Sequence, residues 1–157
     1  MMRAASAAAL ALILAQPACA SDQPPTTDTQ HGMVRIVTVA EGLEHPWGMA
    51  FLPDGRALVT ERPGRLRIVG ADGKPGAPLE GVPAVSATGQ GGLLDVQLDP
   101  DFAKNRFVYL SYAEPREGGN GTAVARGTLT ERGLAGVQVI FRQDVTIDGR
   151  HHFGSRL

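Results

Sequence analysis

From Val34 onward the chain is cut into short apolar runs of five to eight residues by turn residues. Gly and Pro recur every eight to twelve positions, from a total of 20 Gly and 11 Pro in 157 residues. No stretch keeps a 3.6-residue apolar period long enough for a helix of ordinary length. Runs this short, separated this regularly, predict an all-β chain.

The runs fall into two sets of four. Trp47-Gly-Met-Ala-Phe51 leads to the turn Pro53-Asp54-Gly55 and then to residues 56–61, RALVTE. After Pro63-Gly64 comes RLRIV (65–69), then Ala71-Asp72-Gly73, then PLEGV (78–82). In RLRIV, Leu66 and Ile68 alternate with Arg65 and Arg67, as in a strand with one buried face. The second set is LLDVQL (93–98), FVYLSYAE (107–114), AVARGTLT (123–130) and VQVIFRQD (137–144). Pro53-Asp54 and Pro100-Asp101 follow equivalent first strands, 47 positions apart. Four strands recurring at about 40–50 residues point to β-propeller blades. Two unrelated antiparallel meanders in a sandwich are the alternative.

The first twenty residues stand apart. One Arg is followed by an apolar run from Ala4 to Leu14 and then by Ala18-Cys19-Ala20. The run is too short for a membrane span, and the small residues suit a signal peptidase. Residues 1–20 are therefore expected to be a signal peptide cleaved after Ala20, with a periplasmic or secreted product. Lipidation at Cys19 is the alternative. Cleavage would remove the single Cys, so no disulfide is expected. Residues 21–33 are polar and Pro-bearing and read as a flexible leader, leaving 34–157 as the propeller domain. A formal net charge of −1 gives no reason to expect nucleic acid or stable membrane association.

In a propeller, the link from one blade's outer strand returns to the next blade's inner strand at the channel mouth. The segments in that place are Glu44-His45-Pro46, Gly89-Gln90-Gly91-Gly92 and His151-His152-Phe153-Gly154. The last is expected to enter a third blade. An imidazole can take a proton from a hydroxyl, and an amide can hold that hydroxyl in place. His151 and His152, as strand neighbours, would point to opposite faces and make a poor chelate, so no metal site is assigned.

Four stretches carry a resemblance. They are Glu44-His-Pro-Trp-Gly-Met-Ala-Phe-Leu-Pro-Asp-Gly55, Thr60-Glu-Arg62 with Gly64-Arg-Leu66, Gly89-Gln-Gly-Gly-Leu-Leu-Asp95 with Asp99-Pro-Asp-Phe102, and His151-His-Phe-Gly-Ser-Arg-Leu157. In this order they resemble the soluble pyrroloquinoline quinone (PQQ)-dependent aldose dehydrogenases, the glucose/sorbosone dehydrogenase family. The resemblance implies a six-bladed propeller, of which about two blades and the start of a third are present. It implies His152 as general base on the anomeric hydroxyl, with hydride passing to the quinone. Gln90 and, less directly, His151 would contact the sugar. PQQ and calcium are the implied cofactors, their ligands expected mainly downstream of Leu157, and the electron acceptor and oligomeric state stay open. Six blades need on the order of 280 residues. The sequence therefore reads as an N-terminal fragment, inactive alone, with an exposed blade face. A propeller-type, metal-dependent lactonase, with Glu44 as the one acid at a lip, and a non-catalytic binding segment remain as alternatives.

Overall fold

The computed structural model describes residues 24–154, 156 and 157. The expected signal peptide, its cleavage point and the Cys19 alternative lie outside them. The chain divides into two units, Met1–Val37 and Thr38–Leu157.

In the first unit, β1 (Thr26–Thr29) and β2 (Gly32–Arg35) form a hairpin. Paired backbone therefore occupies much of the expected leader. The turn closes because the Thr29 hydroxyl donates to Gly32 O at 2.7 Å. Both strands are exposed throughout. The unit boundary falls at Thr38 rather than Val34, because Val34 and Arg35 pair with Thr27 and Thr26.

The second unit is almost wholly β. β3 (Pro46–Phe51), β4 (Ala57–Glu61) and β5 (Arg65–Val69) form an antiparallel meander. β6 (Leu93–Leu98), β7 (Phe107–Arg116), β8 (Gly119–Leu129) and β9 (Leu134–Arg142) form a second, four-stranded one. One short helix, α1 (Phe102–Asn105), sits in the turn after β6. β8 shows the expected alternation without a break, from buried Gly121 through Ala123, Ala125 and Gly127 to Leu129.

The fourth strand expected at 78–82 does not form. Residues 76–79 join β5 through isolated bonds, Gly76 N–H to Ile68 O, Leu79 N–H to Leu66 O and the Arg67 guanidinium to Gly76 O, each 2.8 Å. Pro75 and Pro78 have no N–H to give, which interrupts a ladder. Glu80 instead bonds across to Arg132 and Leu134 at the outer rim of the second sheet.

The two sheets stack face to face as consecutive propeller blades. Leu52, Leu58 and Leu66 from the first meet Leu93, Val96, Leu110, Tyr112 and Ala125 from the second in one core. The inner strands β3 and β6 touch most closely. A Cβ on Gly48 would lie 2.8 Å from Leu94 O, so only glycine admits that approach. The Thr60 hydroxyl closes the seam: it donates to Leu94 O at 2.5 Å and accepts from Gly48 N–H at 2.8 Å. On its other face the first sheet carries exposed Trp47, Met49 and Phe51 beside an apolar recess of about 400 Å³.

Candidate active site at the channel lip

Each of the three lip segments is fixed by the next. Arg62, just past β4, links the first to the second. Its N–H donates to His45 O at 3.0 Å, and its carbonyl accepts from Leu93 N–H at 3.0 Å. Its guanidinium donates to Gly89 O. Gly92 has φ +136°, and a Cβ there would fall 2.1 Å from Arg62 O. The second segment then meets the third: Gln90 N–H donates to Arg150 O at 2.8 Å. The side-chain oxygen of Gln90 accepts from His152 N–H at 3.1 Å. Gly89 also lies against Arg150, where a Cβ would sit 2.4 Å from the carbonyl oxygen. These glycines admit the neighbouring lips.

The histidine segment is anchored on both sides. Asn120 Nδ2 donates to Gly149 O at 2.9 Å. Phe153 is buried against Leu94 and Ala113, on the face of the second sheet away from the first. The Thr122 hydroxyl donates to Phe153 O at 2.9 Å, and Asp95 Oδ2 accepts from Leu157 N–H at 2.8 Å. Between these anchors His151 and His152 stay exposed. Residues 151–154 are not a strand, so the rings are not thrown to opposite faces. Their centroids are 6.2 Å apart, with planes tilted by 53°. His152 sits at φ +65°. A side chain in that left-handed region costs about 1–2 kcal/mol and persists only where surroundings enforce it.

Behind the first lip lies a buried charge cluster. Glu61, with no exposed side chain, accepts from Arg65 Nε at 2.6 Å, Arg67 Nε at 2.8 Å and Glu44 N–H at 2.5 Å. Burial alone would raise its pKa. The bonds from Arg65, Glu44 N–H and Arg67 outweigh that and hold it at about 2. Arg65 is pushed the other way, chiefly by Glu61 and then by Glu44, whose carboxylate it also meets at 2.5 Å. Glu61 thus fastens the main chain at Glu44, next to His45.

A glucose/sorbosone dehydrogenase family model matches residues 43–157, which take in all three lip segments. The chain belongs to the glucose/sorbosone dehydrogenase family. It is 45% identical over 128 residues to the aldose sugar dehydrogenase YliI of Escherichia coli K12, covering 79% of this chain and 34% of that protein. It is also similar to a crystal structure of a glucose dehydrogenase, with TM-score 0.73 and 51% identity, over 76% of this chain and 36% of that one. A third similarity is to a PQQ-bound aldose sugar dehydrogenase from Streptomyces coelicolor, with TM-score 0.61 and 34% identity, over 69% of this chain and 33% of that one. The chain spans about a third of the length of the curated relatives it matches.

In this member of the glucose/sorbosone dehydrogenase family, Gln90 and His152 come into direct contact, and His151 stands beside them. Arg62 links the first lip toward that pair, bonding His45 O with its main chain and Gly89 O with its guanidinium. Among the described residues, no group of three His, Cys, Asp or Glu is placed to hold a metal ion. Sequence reasoning missed the residues that tie the lips together, Arg62, Thr60 and Glu61. A signal was available for Glu61: Arg65 and Arg67 share a strand face, and the hairpin register sets Glu61 opposite Arg65.

Proposed function

We propose that residues 43–157 supply the sugar-facing lip of a periplasmic or secreted PQQ-dependent aldose dehydrogenase. In this reading His152 is the general base and Gln90 and His151 bind the aldose. The observation that carries it is the contact between Gln90 and His152 on neighbouring lips, in a chain of this family. The imidazole takes the anomeric hydroxyl proton while a hydride leaves the same carbon, and the aldose becomes a lactone. PQQ, when bound, supplies the two-electron acceptor for that hydride. Gln90 orients the sugar by its amide, and the anchors at Thr122, Phe153 and Asp95 keep the imidazole from drifting.

The donor set here suits a sugar: an exposed imidazole and an exposed primary amide on fastened main chain. This reading assigns calcium and most of the grip on the quinone to the two thirds of the relatives' length that these residues do not span. The 157 residues alone would then be inactive. Glu44, on which the metal-cage lactonase reading rests, has its carboxylate on Arg65. The test is dye reduction by the full-length protein loaded with PQQ and calcium, across a panel of aldoses. Reduction with at least one aldose supports the reading, and silence across the panel contradicts it.

A further inference from the structure

The contact between Gln90 and His152 has a polarity. A main-chain N–H can be met only by an acceptor, so the group 3.1 Å from His152 N is the side-chain oxygen of Gln90. That leaves the amide NH2 as the only free end. The Gln90 side chain forms no other hydrogen bond among the described residues. The Gln90 main chain is fixed separately, by its bond to Arg150 O at 2.8 Å and by Arg62 on Gly89 O. The side chain therefore projects from a set base onto a residue held in the left-handed region, His152 at φ +65°, a conformation that His45 of the first lip shares at φ +48°. Gly154, two positions on, shares that region but carries no side chain to strain.

We infer that Gln90 is a positioning residue for His152. Its oxygen holds the strained main chain that aims the imidazole, and its NH2 alone remains to donate to a sugar oxygen. This rests on the proposed function only in naming His152 as the base. A single amide then does two separable jobs. Losing the oxygen releases His152 and lowers kcat. Losing the NH2 weakens sugar binding and raises KM.

Two substitutions separate the jobs. Gln90→Ala removes both ends. Gln90→Glu keeps an accepting oxygen at the same reach and removes the donor. In the dye-reduction assay, with rates compared on the pH plateau so that the added charge does not enter as titration, Q90A is expected to lower kcat by about 10- to 100-fold and to raise KM. Q90E is expected to return kcat to within a few-fold of the parent while KM stays raised. Amide hydrogen exchange at His152 gives a readout independent of turnover, measurable in the 157-residue chain itself: faster in Q90A, protected in Q90E. An unchanged kcat in Q90A with only KM raised overturns the inference, as does unchanged exchange at His152. If His152→Ala leaves kcat intact, the proposed function fails instead, and the exchange measurement still decides whether Gln90 holds that main chain.

Discussion

Replacing Glu61 with Gln should cost this chain about 2–3 kcal/mol at pH 7. The carboxylate is fully buried and carries three bonds, from Arg65, Arg67 and Glu44 N–H. Its folded pKa of about 2 lies below the ordinary glutamate value of 4.5. At about 1.4 kcal/mol per pH unit, that gap corresponds to roughly 3 kcal/mol of stability. Gln can still accept one bond, but it leaves two guanidiniums with no buried counter-charge. Because the folded pKa is depressed, the contribution is complete above about pH 4.5 and is lost as pH falls toward 2. Urea unfolding of parent and E61Q at pH 7, 4.5 and 3 measures it. At roughly 1–3 kcal/mol per molar urea, the midpoints should differ by about 1–2 M at pH 7. They should converge as pH falls. A midpoint difference that stays constant from pH 7 to pH 3 would refute the assignment of that stability to the ionised carboxylate.

Two further substitutions probe the joins between blades and lips. Thr60→Val keeps the shape but leaves buried Leu94 O and Gly48 N–H without their partner, and should cost about 2–3 kcal/mol by urea unfolding. Gly92→Ala places a Cβ 2.1 Å from Arg62 O at φ +136°, and should fold poorly or lower the urea midpoint by more than T60V does.

The strands were legible where alternation and turn chemistry agreed. RLRIV and LLDVQL form at their expected residues, and the runs at 107–114 and 123–130 form within a longer pair, Phe107–Arg116 and Gly119–Leu129, that takes in residues expected to turn. PLEGV was misread because its apolar residues looked like a strand, while Pro75 before it and Pro78 at its start lack the donors a ladder needs. Residues 26–33 read as leader because both hairpin faces are exposed, so no apolar pattern marks them. Gln90 and His152 could be placed together from the expected topology, in which Gln90 precedes β6 and His152 the entry to a third blade. Their bond, and the left-handed backbone of His152, could not. A non-glycine residue at positive φ leaves no mark in sequence, and a bond between segments about 60 positions apart depends on how two blades stack. Arg62 was hidden for the same reason: its role lies in both lips it touches, and neither alone identifies it.

In the proposed function the imidazole of His152 removes the proton from the sugar. The direct measurement is kcat of His152→Ala in the full-length protein, loaded with PQQ and calcium and saturated with its best aldose. Loss of a general base predicts a fall of about 100- to 10,000-fold, with the variant as resistant to urea as the parent. A kcat within a few-fold of the parent would contradict the account.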